Sequence, residues 1–323
     1  MLEPLLWIAF FIAGYLIIFF SADVFIDNLR DLCVIYNVSP FVIGLIVLGI
    51  DPEESTASIV AAINDLPYIA VGNVIGNSII ALTLCFAIPA FFHEINLKSI
   101  SRFYFLIIYA SLIAIFLSFF IPLGLFIAGF VVLILFLIYF VKSIKNISEK
   151  GSAETFKIEV VVHKIEKKNQ NKKGLKLKKI VFACISLLFI FLGGELLIIS
   201  TEQIINLTHI PETFFGFIII AFVTNVEELT LILKSIKKGS VEIGLGGMIG
   251  KLIWNLSVTY GISGIIAMNI EFNWLLIFNW LILLFIMIFY QQMVKMQILT
   301  RKGALFLTGI LIVFLIINFL PLL

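Results

Sequence analysis

Charge is what this chain has least of. Only 13% of its 323 residues are Asp, Glu, Lys or Arg, and 62% are hydrophobic, where a soluble domain carries about 25% and 45–50%. With a mean hydropathy of +1.17, that balance excludes a water-soluble globule and implies an integral membrane protein. Cysteine is scarce as well. Cys33, Cys85 and Cys184 form no CxxC pair, so no disulfide frame is expected. The three histidines, His93, His163 and His209, are scattered without a metal-ligand spacing. Neither a zinc site nor a haem motif is present, and no cofactor is expected. The apolar runs contain no Ser/His, GxGD or HExxH arrangement, which argues against an intramembrane hydrolase and against an enzyme in general. No nucleic-acid partner is expected either.

What the chain does have is long apolar runs, at about 4–22, 38–64, 67–92, 103–121, 123–141, 180–200, 213–233, 241–267, 273–293 and 304–322. A spanning helix takes about 20 residues, so ten of them use roughly 200 and leave no room for a large soluble domain. The first run could pass for a secretory signal, yet no Lys or Arg precedes it, and it is read as a retained helix. Four runs, 38–64, 67–92, 213–233 and 241–267, are interrupted by acids, amides, Gly and Pro. Those four are the functional candidates.

Between 142 and 179 the composition changes to twelve lysines against four glutamates. This basic linker separates residues 1–141, with five spans, from residues 180–323, with five more. A positive loop of this length belongs on the cytoplasmic side, which puts both termini outside in a multi-pass protein of the cell membrane. In that orientation 21 of the 22 basic residues share one side. The exception, Lys251, lies inside a span. Membrane lipid is therefore a partner, and the linker itself has the composition of an anionic-lipid patch.

The two halves match each other. At an offset of 172, Asp23 lies over Glu195 and Gly44 over Gly216; past a two-residue shift, at 174, Glu53-Glu54 lies over Glu227-Glu228 and Gly72–Gly76 over Gly246–Gly250. Five spans per half is an odd number, so the copies enter the membrane from opposite sides. The expected fold is all-α, ten transmembrane helices arranged as two inverted five-helix repeats, an architecture of secondary transporters with sites near the midplane.

Asp51, Glu53 and Glu54 interrupt one span, and Glu227 and Glu228 its partner. An acid near the bilayer centre costs about 2.5–3.5 kcal/mol on insertion scales, so such groups tend to face a cavity. A helix boundary displaced by one turn would instead leave them at the interface. Asp51 and Glu54 stand three apart, as do Asn225 and Glu228, so each pair shares a helix face. Carboxylates, amides and carbonyls are hard oxygen ligands suited to Ca²⁺, Na⁺ or protons. Pro52 is expected to break the helix and free backbone carbonyls for a cavity. Asn73 and Asn77, four apart, put two amides on one face, within a small-residue segment that allows close helix packing.

At these residues the chain resembles the calcium/cation antiporter superfamily, which includes the sodium/calcium exchangers. Members carry two inverted repeats, each with G-T-S-x-P-E followed about twenty residues later by G-N-x-x-G-S-N. Here the first copy reads Gly49-Ile-Asp51-Pro52-Glu53-Glu54, then Gly72-Asn73-Val-Ile-Gly76-Asn77-Ser78. The second reads Val223-Thr224-Asn225-Val226-Glu227-Glu228, then Gly246-Gly247-Met-Ile-Gly250-Lys251-Leu252. The resemblance implies that Glu54 and Glu228 are the principal cation-binding carboxylates, or metal ligands. It places Asp51, Thr224 and Asn225 where Thr or Ser oxygens stand, Asn77 at a ligating Ser, and Asn255 at an Asp or Asn position. Glu53 and Glu227 point about 100° away from their neighbours and are secondary, modulating residues with Asn73 and Lys251.

The expected function is secondary-active antiport, Ca²⁺ or a similar cation against Na⁺ or H⁺, by alternating access. Roughly half the expected hydroxyl and amide ligands are replaced, however, with Lys251 at a Ser position and Gly247 at an Asn position. The alternative is therefore a family member that no longer transports and acts as a membrane scaffold or regulator. Lys251, about 16 Å into its helix, is too deep to reach the interface easily and needs a counter-ion. It is expected either to act as a tethered cation, lowering the number of ions exchanged, or to close one ion site as a fixed salt bridge.

Overall fold

The structure, a computed structural model, describes residues 2–36, 45, 49, 51–149, 172–208 and 221–319. The helices are α1 (Leu2–Tyr36), α2 (Pro52–Ile63), α3 (Pro67–Phe92), α4 (Arg102–Ser118), α5 (Gly124–Glu149), α6 (Lys172–Thr208), α7 (Ala221–Lys237), α8 (Val241–Trp254), α9 (Tyr260–Ala267), α10 (Trp274–Met296) and α11 (Arg301–Phe319). A π-helical turn, Asn255–Thr259, joins α8 directly to α9. Each of the ten apolar runs thus holds helix, the eighth as one rod of α8, the π turn and α9. Among the described residues five helices are long and apolar enough to cross a membrane: 5–32 within α1, α3, 124–143 within α5, α10 and α11. Short α2 and α7 belong to interrupted runs, and most of 38–50 and all of 213–220 lie outside the described residues.

Helix α3 is the axis of the molecule. Nearly every residue from Ala70 to Ala90 is buried, because α2, α7, α9, α10 and α11 all pack around it. The helices around this axis are apolar on their outer faces too. Leu106 and Ile113 of α4, Ile134 and Leu137 of α5 and Phe278 and Phe285 of α10 are exposed. A helix apolar all round needs a nonaqueous surrounding, and in lipid that outer face costs nothing. Polar groups inside pair across helices in places, as in the reciprocal amide bonds of Asn279 and Asn318 at 2.9 and 3.0 Å.

Three expected boundaries move. The first span reads 4–22 from hydropathy, yet α1 runs to Tyr36. Its extension carries Asp23, Asp27 and Asp31 at helical spacing, and cations meet each of them: Lys234 at 2.8 Å from Asp23, Lys238 at 2.5 Å from Asp27 and Lys179 at 2.8 Å from Asp31. Lys238, in the turn beyond α7, is partly buried, which disfavours its charge, but Asp27 and Asp23 outweigh that and raise its pKa above the ordinary lysine value. The sixth helix likewise runs well past 180–200, from Lys172 to Thr208. α5 extends to Glu149, so helix enters the basic linker from both sides and only 150–171 lies outside the described residues.

The connections collect at two ends. At one, Arg30 donates to the Lys238 carbonyl at 3.0 Å, and strand β1 (Ile95–Asn96) pairs antiparallel with β2 (Ile298–Leu299). At the other, Tyr68 donates to the Glu271 carbonyl at 3.1 Å, and the Leu123 amide to the Asn269 side chain at 2.7 Å. The rod from Val241 to Ala267 links the two ends. Lys98, Arg102, Lys237, Lys238, Lys295 and Arg301 all fall at the first end, and the described turns of the second, 64–68, 119–123 and 268–273, hold no Lys or Arg. The positive-inside tendency predicts that the first end faces the cytoplasm. In a background freed of Cys33 and Cys184, cysteines at Lys98 and Lys237 should react with an impermeant thiol reagent only from the cytoplasmic side. Cysteines at Asp65 and Glu271, all four sites being exposed, should react only from outside. Labelling of Lys237 and Glu271 positions from one side would overturn this arrangement.

Candidate functional site

Pro52 opens α2, a position where its missing N–H is no loss. Asp51 therefore becomes the N-cap: its Oδ1 accepts from the Glu54 amide at 3.2 Å, in the pattern by which an Asp side chain satisfies the third amide of a helix. Capping fixes the carboxylate of Asp51 at the positive end of the α2 dipole. Carbonyls freed by Pro52 were expected to be open to a cavity. That of Asp51 is not, since it accepts from the Ser55 hydroxyl at 2.7 Å and from the Trp254 indole at 3.2 Å.

One turn on, Glu54 points inward at 1% exposure. Into the same space comes Lys251 of α8, 4% exposed. Its Nζ lies 2.8 Å from Asp51 Oδ2 and 3.1 Å from Glu54 Oε1, and it donates to Glu228 Oε1 of α7. One ammonium thus sits among three carboxylates brought from two helices. Only the Glu228 contact is aligned as a hydrogen bond; Asp51 Oδ2 and Glu54 Oε1 face the ammonium without one, and Glu228 Oε2 has no hydrogen-bond partner. Among the described residues no trio of His, Cys, Asp or Glu is set around a metal position. The ammonium stands where the three carboxylates converge.

The widened π turn carries the next layer. Asn255 donates to Glu54 Oε2 at 2.7 Å, and Thr259 shares a hydrogen bond of 2.7 Å with Ser55. Turns of this kind recur at functional positions because the extra residue re-aims the side chains around it. On α3, Asn73 donates to Ser58 at 3.0 Å and to the Glu54 carbonyl at 3.4 Å, while its own oxygen has no hydrogen-bond partner. Asn77 accepts from Asn225 at 3.1 Å, and Cys85 approaches the same Asn225 at 3.5 Å. Two of these contacts are related by one number. Adding 174 to 51 and 77 gives 225 and 251, so the contacts Asp51–Lys251 and Asn225–Asn77 join positions related by the same sequence offset.

Of the residues singled out in the sequence, Asp51, Glu54, Asn73, Asn77, Asn225, Glu228, Lys251 and Asn255 come together. The side chains of Glu53, Thr224 and Glu227 lie outside the described ones. Sequence reasoning missed Ser55, Ser58, Cys85, Trp254 and Thr259. Cys85 and Thr259 carried a signal, since they too stand 174 apart. Trp254 carried none: an indole between apolar residues reads as packing until its N–H is seen on Ser55 at 2.8 Å.

Close backbone contact makes the convergence possible. Gly250, just before Lys251, rests on Gly49, just before Ile50 and Asp51, and the two flank a small pocket of about 30 Å³ lined also by Leu45, Phe136, Tyr139, Phe140 and Trp254. Tyr139 donates to the Leu45 carbonyl at 3.3 Å.

A family model described as sodium/calcium exchanger protein matches residues 6–145 and 178–320. The chain is 29% identical over 256 residues to the membrane protein MJ0091 of Methanocaldococcus jannaschii, covering 77% of this chain and 78% of that one. It is 23% identical over 281 residues to the inner membrane protein YrbG of Escherichia coli, covering 81% of each. Among solved structures, the sodium-calcium exchanger NCX_Mj soaked with 100 mM Na⁺ and 10 mM Sr²⁺ superimposes with a TM-score of 0.75 at 23% identity, over 96% of this chain and 97% of that one. That likeness establishes a shared fold.

A methyl group at Gly250 would meet the Leu45 carbonyl oxygen at 2.2 Å and Gly49 Cα at 2.8 Å, all backbone. Gly250→Ala should therefore force α8 outward, at a cost of about 1–3 kcal/mol for overpacking, and lower the melting temperature in detergent by several degrees. Gly309→Ala meets nothing within 4 Å and should melt like the parent. Equal melting of all three proteins would show that the Gly49–Gly250 contact is not tight.

Proposed function

The chain belongs to the sodium/calcium exchanger protein family, and from that premise we propose that it is a secondary-active cation antiporter, exchanging Ca²⁺ or a similar cation for Na⁺ or H⁺ by alternating access. One observation carries the reading. In a chain of 13% charged residues, Asp51, Glu54 and Glu228 converge on one buried point. Buried carboxylates cost too much to keep as packing, and hard oxygen donors at one place are what Ca²⁺ and Na⁺ both require. Glu54 and Glu228 are the principal ligands in this reading. Asp51, Asn77, Thr224, Asn225 and Asn255 supply further oxygens, and Lys251, Glu53, Glu227 and Asn73 tune the site. Competition of two cations for one set of oxygens couples their movement.

The same reading takes residues 1–141 and 180–323 as two repeats of opposite orientation joined by the basic linker 142–179. The doubled crossing of Asp51–Lys251 and Asn225–Asn77 supports it, because an internal two-fold relation generates contacts in such pairs. Exchange of access would tilt one set of helices against the other about these crossings. A scaffold has no use for acids held unneutralised in the interior, so the non-transporting alternative gains nothing from this geometry.

Glu54→Gln and Glu228→Gln preserve shape and remove charge. In reconstituted vesicles each should abolish ⁴⁵Ca²⁺ exchange driven by a Na⁺ or H⁺ gradient while leaving the protein monodisperse. Undiminished flux in both variants would remove the carboxylates from the site, and flux in neither the parent nor any variant would end the antiporter reading.

A further inference from the structure

The buried centre has a charge balance that its geometry makes specific. Among the described side chains, Asp51, Glu54 and Glu228 stand around the ammonium of Lys251, three negative charges against one positive when all four are ionised. Two negative charges therefore remain. Lys251 gives its aligned hydrogen bond to Glu228 Oε1, but its contact with Asp51 is the one that has a counterpart at the same sequence offset. Asp51 is held on one side by its cap of α2 and meets Lys251 at 2.8 Å on the other. Its counterpart crossing, Asn225 to Asn77 at 3.1 Å, is an amide bridge with no net charge. The same crossing is thus a neutral amide pair in one copy and an oppositely charged, equally neutral pair in the other. Lys251 fills a place among the carboxylate oxygens without altering what the crossing contributes to the total charge.

Resting on the antiporter reading above, we propose that Asp51 and Lys251 form a permanent self-neutralised bridge that occupies one cation place, so that the cargo neutralises only Glu54 and Glu228 and exchange is electroneutral, one divalent cation against two monovalent ones. Moving uncompensated charge through a low-dielectric interior is costly. A site of two negative charges crosses readily when it holds one Ca²⁺, two Na⁺ or two protons, and each of these loaded forms is neutral. The empty form keeps two charges and crosses poorly, which makes return without cargo slow and coupling obligatory. Acceptors remain for the cargo: among the described residues, Glu228 Oε2 and Asn73 Oδ1 are buried with no hydrogen-bond partner. Charge balances over a full cycle, two positive charges in and two out.

The test uses the full chain in vesicles, with ⁴⁵Ca²⁺ uptake against internal Na⁺ under potassium-diffusion potentials of either sign set with valinomycin. The parent should give the same initial rate at both signs. Lys251→Asn leaves three carboxylates uncompensated, so the loaded site draws a further positive charge on one limb of the cycle and the rate should differ several-fold between the two signs. Asp51→Asn with Lys251→Asn writes the amide pair of the other crossing into this one; Asn caps a helix as well as Asp does, and independence of potential should return. A parent rate that follows potential overturns the proposal while leaving antiport intact, and so does a double variant that transports but follows potential. Absence of Ca²⁺ flux in the parent overturns the antiporter reading itself, and this inference with it. If Lys251→Asn alone does not fold, the parent and the double variant decide between these outcomes.

Discussion

The rest of the structure is arranged around one ammonium held among three carboxylates. A lone Lys251 at this depth would be prohibitive, and three acids without it would repel one another strongly in a low-dielectric interior. Together they are tolerable, with three acidic groups gathered on one ammonium. The interaction joins α2 to the consecutive helices α7 and α8, more than 150 residues further along the chain, so it also fixes how these distant segments meet.

Local backbone chemistry delivers each participant. Pro52 starts α2 and so makes Asp51 a cap, which leaves one carboxylate oxygen for the helix and one for Lys251. Two glycines, Gly49 and Gly250, remove the side chains that would otherwise hold the α8 backbone away. The π turn at Asn255–Thr259 adds a residue where α8 passes α2, and from it Asn255 reaches Glu54 and Thr259 reaches Ser55. None of these devices is costly alone. Their agreement on one point is what makes the site specific.

Around this centre the molecule uses two kinds of apolar surface. The inner one is packed on α3, and the outer one, on α4, α5, α10 and α11, is exposed among the described residues and matches lipid. Among the described residues, salt bridges outside the centre are confined to the end of the bundle where α1 meets α6 and α7. There Asp23, Asp27 and Asp31 take up Lys234, Lys238 and Lys179. These pairs tie the long α1 and α6 to the site-bearing α7.

The sequence by itself determined the membrane environment, the ten helical regions and the segregation of basic residues to one end, and it singled out Glu54, Glu228 and Lys251, which the structure brings together. It could do so because hydropathy is additive along the chain, charge in an apolar run is expensive wherever it points, and an internal repeat aligns such charges in register. Helix ends escaped it, as at Tyr36 and Thr208, because the acids that seemed to end α1 are neutralised by lysines two hundred residues away. The donors Ser55, Trp254 and Thr259 escaped it for a related reason: a hydroxyl or an indole reads as neutral until the rotation of its helix is known. Only the tertiary structure decided that Asp51 caps α2 and pairs with Lys251, and that the corresponding amides of Asn225 and Asn77 pair in the other half. Which partner a buried charge meets depends on distances between helices, and those are set by packing around α3 and by the glycine contact of α8, where spacing along a single chain carries no information.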